Sequence, residues 1–326
     1  MAVWFVHFWQ TKGMPSEFQL VELGPGRGTL MHDMLRTLAQ LKGVCERIVG
    51  VHMVEASPEL RAKQAARLAP GVEIVDDSVT TAEGIRVTWH DSLESVPHKY
   101  TFLMAHEFFD AMPVYKFEAT QRTEQGWREL VVDLDEDPGS PRHFRFVLAP
   151  TATKASVSLL KGSLDRLSHV QIGERVEIAP DVDLFSSQIA SRIQADGGAA
   201  LLIDYGRNHV VDDSLRGIRQ HQFVHPLTSP GECDLSADVD FSAIAHAGLF
   251  LERMGIGARV VALLKVAGST KERKAIVAEF ERLVDPNAMG EAYKIQAITG
   301  DGETPYGLEP MEADARGAGG GATEAQ

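Results

Sequence analysis

Phe18-Gln19-Leu20-Val21-Glu22-Leu23-Gly24-Pro25-Gly26-Arg27-Gly28-Thr29-Leu30 reads as a buried strand, a tight glycine turn and the opening of a helix. Glycines at alternate positions let backbone press against a ligand where a side chain would collide. The helix carries Leu30, Met34, Leu35, Leu38 and Leu41 at helical spacing and runs from Thr29 to about Leu41. Its free N–H groups and positive dipole end aim at the turn. Glu22 stands at the strand end, just before the turn. Such an arrangement suits a nucleoside-containing cofactor.

The neighbouring sequence repeats the strand–helix alternation. Ile48–Val54 is a second strand, ending at Glu55. Ser57-Pro58-Glu59 starts a helix, with Ser57 as N-cap and Pro58 at the first helical position, running to about Leu68. Val72–Val75 and Arg86–Trp89 have strand character, and Tyr100–Ala105 is a buried strand followed by His106-Glu107-Phe108-Phe109-Asp110. Val114–Glu118, Trp127–Leu134 and Phe144–Leu148 then alternate or carry β-branched and aromatic residues, which marks an antiparallel β insertion over about 114–150. Asp181–Asp196 is an amphipathic helix stopped by Gly197-Gly198, and Ala199–Ile203 is another buried strand, ending in Asp204-Tyr205-Gly206. Phe241–His246, Leu249–Met254, Ala258–Val266 and Thr270–Val284 read as helical, with Lys294–Thr299 a final strand. Residues 1–301 thus form one α/β domain, and the Gly-, Ala- and Glu-rich stretch 302–326 is expected to be a disordered tail.

Alternating strands and helices imply a parallel sheet with crossovers, in which ligands sit beyond the carboxyl ends of the strands. Glu22, Glu55, Glu107 with Asp110, and Asp204 each fall just past such an end. Composition narrows the partners. The net charge of −14 argues against a broad nucleic-acid footprint. No apolar run approaches the ~20 residues that span a membrane, and the aromatic start Ala2–Trp9 has neither the basic n-region of a secretory signal nor the Arg- and Ser-rich character of a transit peptide. That segment reads as a core helix. Cys45 and Cys233 form no CxxC pair, and His106-Glu107 lacks the second histidine of HExxH, so no metal site is expected.

The turn Gly24-Pro25-Gly26-Arg27-Gly28 has Thr29 where a dinucleotide fingerprint places its third glycine. It resembles the first motif of class I S-adenosylmethionine-dependent methyltransferases. That resemblance implies that Glu22, Gly24, Gly26 and Gly28 cradle the cofactor and that Glu55 holds its ribose hydroxyls, for which a carboxylate is the right acceptor. Asp91, after Trp89, is either the acceptor for the adenine amine or an exposed turn acid.

The resemblance extends along residues 3–300. The stretches 22–29, 54–58, 106–114, 126–129, 202–206 and 234–241 follow one another in an order similar to that of the MidA-type family, the mitochondrial complex I assembly-factor methyltransferases and their bacterial relatives. Glu107-Phe108-Phe109-Asp110 with Pro113 is the most family-specific piece. The resemblance implies a Rossmann-like methyltransferase domain that forms symmetric dimethylarginine on a core subunit of respiratory complex I in mitochondria, with cytoplasmic location for a bacterial protein. Two departures are expected: a missing segment ahead of the first strand, and a missing late strand where Ala247-Gly248 passes straight into Leu249.

Arginine is a cation at any physiological pH, so carboxylates are its natural receptors. Glu107 is expected to bind the acceptor guanidinium and Asp110 to support it; alternatively one acid caps the next helix while the other orders the loop. Asp204 is a secondary candidate with a structural character. Phe108 and Phe109 either wall the pocket or belong to the core, and Trp127 is expected to be packing. Two other classes remain in view at this point: an inert cofactor-binding assembly factor that works by contact, and an NAD-dependent oxidoreductase, which Thr29 disfavours.

Overall fold

A computed structural model describes residues 1–121, 126–137, 139–161, 167–208, 212–241, 245–246, 260, 263–284, 293–300, 305 and 308. The chain opens with α1 (Ala2–Thr11), β1 (Phe18–Leu23), α2 (Thr29–Leu38), β2 (Ile48–Val54), α3 (Pro58–Leu68), β3 (Ser78–Thr80), β4 (Arg86–His90) and β5 (Thr101–His106). Then come β6 (Tyr115–Ala119), β7 (Trp127–Leu134), β8 (Phe144–Leu148), α4 (Lys154–Lys161), β9 (Arg175–Ile178), α5 (Pro180–Asp196) and β10 (Gly198–Arg207). The short strands β11 (Arg216–Arg219), β12 (Gln222–Val224), β13 (Asp234–Ser236), β14 (Val239–Asp240) and β15 (Ala245–His246) precede α6 (Thr270–Val284) and β16 (Tyr293–Thr299).

The central sheet runs β15-β16-β10-β5-β1-β2-β4-β3, with β14 paired to β10. From β10 to β4 its strands are parallel, while β16 is antiparallel to β10 and β3 to β4. The chain moves outward from β1 through β2 to β4, then returns to place β5 on the other side of β1. Strand order therefore reverses between β1 and β5, and the crevice at their carboxyl ends is where such sheets bind ligands.

Both faces of the sheet are covered, which is why β1 is buried at all six positions instead of alternating. Phe18, Leu20, Phe102 and Met104 face α1 and α2, meeting Trp4, Phe5, Met31 and Leu38. Phe5 and Phe102 lie 4.9 Å apart at their centroids. Val21, Leu23, Leu103 and Ala105 pack on the opposite side with Ile189 and Ile193 of α5. The aromatic opening of the chain is thus a core helix, as its sequence indicates. α3 starts as expected, Ser57 Oγ accepting from the Leu60 N–H at 3.3 Å.

A second sheet, β8-β7-β6-β9, is the antiparallel insertion. Its fourth strand, β9, comes from Arg175–Ile178, beyond the alternating stretch, because a four-residue strand with charged positions carries little periodicity. A third sheet, β12-β11-β13, follows β10.

Some local readings change. Val72–Val75 is not a strand: only Val75 makes an isolated bridge, to Ser78, and the edge strand is Ser78–Thr80. The described ends of the expected helix Phe241–His246 are not helical: Phe241 follows β14, and Ala245–His246 pairs antiparallel with β16, while 242–244 lie outside the described residues. A short apolar run cannot be assigned by period alone, and sheet pairing overrides its helical propensity. Residues 263–266 are helical within the expected Ala258–Val266. The expected helix Leu249–Met254, the expected strand loss after Ala247-Gly248, and the tail 302–326 apart from Pro305 and Leu308 lie outside the described residues.

Candidate functional site

The glycine turn is built from backbone geometry. Gly24, Gly26 and Gly28 have φ of +56°, +52° and +71°, the left-handed region that strains any L side chain. A Cβ at Gly24 would lie 2.7 Å from the Phe108 ring, and one at Gly28 3.2 Å from Gln64 Cγ. A Cβ at Gly26 would meet nothing within 4 Å. Two of the glycines are therefore needed for packing behind the turn, while the third keeps its mouth clear. Gly28 is the N-cap of α2 and supplies no side-chain cap, which leaves the first N–H groups of the helix without that partner.

Three acids stand at this mouth. Glu22 is buried, its Oε2 has no hydrogen-bond partner among the described residues, and burial raises its carboxyl to about 8 against the pull of the Met31 backbone. Glu55 is half-buried. Its Oε1 accepts from the Ser57 N–H at 2.8 Å and its Oε2 from Gln64 Nε2 at 3.2 Å. Asp91 is exposed, and its Oδ1 accepts from Arg61 Nη2 at 2.5 Å. Arg61 also reaches Asp77 at 3.2 Å and donates through Nε to the Glu55 carbonyl at 2.7 Å. One guanidinium on α3 thus ties the ends of β2 and β4 together.

The loop after β5 is held from outside itself. Asp204, expected just past its strand, lies inside β10, which runs on to Arg207; fully buried there, it accepts through Oδ2 from the N–H groups of Phe108 (3.1 Å), Phe109 (2.8 Å) and Asp110 (3.2 Å), and through Oδ1 from Tyr205 N at 2.9 Å. Burial, and then the charge of Asp110, push the Asp204 carboxyl up to about 8 despite those donors. Asp204 is the structural anchor of the loop. Glu107 sits at φ +48°, outside the strand geometry it follows. Its side chain is exposed and accepts from the Tyr293 hydroxyl through Oε1. Tyr293 in turn packs its ring 4.0 Å from that of Tyr205. Asp110 accepts from Ser236 Oγ at 2.9 Å, while its carbonyl accepts from Ala237 N at 2.9 Å. Burial raises the Asp110 carboxyl, and although Glu107 as a residue faces solvent, the partial desolvation of its carboxyl where it meets Tyr293 raises it as well.

The structure gathers Glu22, the three glycines, Glu55 and Asp91 along the ends of β1, β2 and β4, and Glu107 with Asp110 beyond β5. Phe109 is core, and Phe108 covers Gly24, its ring 5.3 Å from that of Phe185. Trp127 is buried in the insertion, as expected for packing. No group of three or more potential metal ligands occurs among the described residues. Sequence reasoning missed three participants: Gln64 hides within an amphipathic helix, Tyr293 becomes a neighbour of the site only through long-range pairing, and Ser236 lies in the family-like stretch 234–241 without its partner Asp110 being evident.

A glycine turn at a helix N-terminus, with the buried Glu22 carboxyl and Glu55 beside it, is an arrangement that fits S-adenosyl-L-methionine. Glu22 Oε2 is an acceptor with no donor among the described residues, and a carboxylate such as Glu55 can accept further hydrogen bonds beyond those from Ser57 and Gln64. The fold and this site define an S-adenosyl-L-methionine-dependent methyltransferase of the Rossmann-like class. Residues 1–255 match the model of a family described as S-adenosyl-L-methionine-dependent methyltransferases, and the chain belongs to that family. It is 39% identical over 320 residues to the protein arginine methyltransferase NDUFAF7, mitochondrial, of Rattus norvegicus, covering 91% of this chain and 70% of the relative. The human protein of the same name is 37% identical, with 91% and 70% covered. A Burkholderia thailandensis structure with S-adenosyl-homocysteine bound superposes with a TM-score of 0.69 at 24% identity, covering 94% of this chain and 76% of that one. A second structure from that organism gives 0.71 at 23% identity, with 94% and 79% covered. These two establish likeness of fold.

Proposed function

We propose that this protein methylates arginine in a protein substrate, that it forms symmetric dimethylarginine, and that its target is a core subunit of respiratory complex I in mitochondria. The observation that carries the acceptor reading is Glu107, an exposed carboxylate fixed in a left-handed backbone conformation beyond β5, beside the switch point of the sheet. The names of the mitochondrial relatives support arginine as acceptor and the compartment. The family resemblance supports complex I and the symmetric product.

In this reading Glu22, Gly24, Gly26, Gly28, Glu55 and Asp91 hold S-adenosyl-L-methionine. When bound, the cofactor supplies a methyl group on a positively charged sulfur. Glu107 binds the acceptor guanidinium, draws its positive charge toward one side and so orients one nitrogen as the methyl acceptor; the proton that nitrogen sheds on methylation would pass to solvent. Asp110 supports the loop electrostatically. Tyr293 fixes one oxygen of Glu107 and leaves the other for the substrate. Phe108 shields the reacting groups from water.

Glu107→Gln keeps the shape and removes the charge. Turnover on an arginine-containing target subunit, read by mass gain, should fall by at least ~100-fold, the scale of one preorganised electrostatic contact. Calorimetric affinity for S-adenosyl-L-methionine should be unchanged. Retained turnover would remove Glu107 from this role. Absence of mass gain with the intact wild-type protein, cofactor bound, would favour an assembly factor that works by contact.

A further inference from the structure

Gln64 lies on α3, one turn from the surface residues of that helix, yet it is wholly buried. Its amide meets three strand ends at once. Nε2 donates to the Gly26 carbonyl at 2.8 Å and to Glu55 Oε2 at 3.2 Å. Oε1 accepts from the Trp89 indole N–H at 2.7 Å. Trp89, on β4, is itself buried. An indole nitrogen only donates, so it permits one orientation of the amide: oxygen toward Trp89, both N–H groups toward the turn and Glu55. The Gln64 backbone and Cβ also stand 3.4 Å from the place a Gly28 side chain would occupy. Packing and hydrogen bonding therefore agree on one rotamer.

We propose that Gln64 is a positioning residue for the cofactor: without touching it, the amide sets the spacing between the glycine turn and the carboxylate that holds the ribose. This rests on the reading of Glu55 as the ribose receptor. The physical reason is the count of acceptors. Glu55 and the Gly26 carbonyl are both acceptors facing a common point, and they would be filled by water or drift apart without a double donor between them. Glutamine is a neutral side chain that can give two hydrogen bonds on one side and take one on the other. Glutamate in its place would keep the bond from Trp89 but set a like charge against Glu55. Other charged groups around the position are accounted for. Arg61, on the same helix, is committed to Asp77 and Asp91. His90, next to Trp89 on β4, is bonded to His52 at 2.9 Å. On α2, His32 and Asp33 pair with one another at 3.4 Å.

The test is calorimetric binding of S-adenosylhomocysteine and of its 2′-deoxy analogue to the full chain, for wild type, Gln64→Leu, Gln64→Glu and Glu55→Ala. Gln64→Leu should weaken S-adenosylhomocysteine by about 10- to 100-fold, the range for hydrogen bonds to charged groups. It should also collapse the preference for the ribose over the deoxyribose form. Gln64→Glu should bind poorly at pH 8 and recover relative to wild type at pH 5.5, where the new carboxyl takes a proton. Using the ratio to wild type at each pH cancels the titration of Glu22. Loss of affinity with ribose preference and pH ratio both intact would reduce Gln64 to general packing and overturn the proposal. A Glu55→Ala variant that keeps the ribose preference would overturn the reading of Glu55 and this proposal together. Loss of preference in Glu55→Ala but not in Gln64→Leu would overturn this proposal alone.

Discussion

At the scale of single residues, the site depends on conformations that side chains resist. Gly24 combines φ +56° with the Phe108 ring at 2.7 Å from any added Cβ. Gly24→Ala should therefore cost about 1–2 kcal/mol from backbone strain alone. It should also push Phe108 off the turn, so cofactor affinity should fall further than the melting temperature implies. Calorimetry beside a thermal melt checks this, and equal effects on both would count against Phe108 as the cover of the turn. Glu107 carries a comparable strain at φ +48°, and such strain persists only where the surrounding structure over-determines the position. Its supports are the grip of Asp204 on the next three N–H groups and the Tyr293 hydroxyl.

At the scale of elements, α3 does more for the site than its polar face suggests. Ser57 caps it, Arg61 spans to Asp91, and Gln64 joins the turn to Glu55. Ser57→Ala should lower stability by ~1 kcal/mol, measurable by chemical denaturation, since the Leu60 N–H loses its acceptor. The local parts of this design are readable in the chain: glycines at alternate positions, an acid ending each strand, a Ser-Pro helix start. They are readable because each is decided within a few residues. Gln64 is not, because a polar residue in an amphipathic helix has the same signature whether it faces solvent or a neighbouring strand end. Tyr293 and the partner of Ser236 are not, because only the antiparallel return of β16 and the placing of β13 in the third sheet bring these residues to Glu107 and Asp110. β15 escapes for a related reason: two residues are too few to show a period, and their state is decided by β16.

At the scale of the whole molecule, buried ionisable groups set how stability follows pH. Glu22 and Asp204 are raised from 4.5 and 3.8 to about 8, so the folded state keeps protons that the unfolded chain has already lost. Stability should fall as pH rises from 6.5 to 8, by up to ~1.4 kcal/mol per pH unit for each group. Burial, reinforced by His90, lowers His52 from 6.5 to about 4, so below 6.5 the unfolded chain binds the extra proton and the trend is opposed. Thermal melts of the cofactor-free protein should show the decline on the alkaline side, and Glu22→Gln should flatten it; an unchanged slope would mean that Glu22 is ionised in the folded state.

The anchoring of the Glu107 loop also orders events as the chain is made. The turn, Glu55, Gln64, Trp89 and Asp91 all lie within residues 22–91, so the proposed cofactor half is written into an early stretch of the chain. The proposed acceptor half is not: Phe109 waits for Asp204, 95 residues later, and Glu107 waits for Tyr293, 186 residues later. Contacts this distant along the chain are slow to close. A chain cut short before β16 therefore retains every residue proposed for the cofactor cradle and lacks the hydroxyl that steadies Glu107.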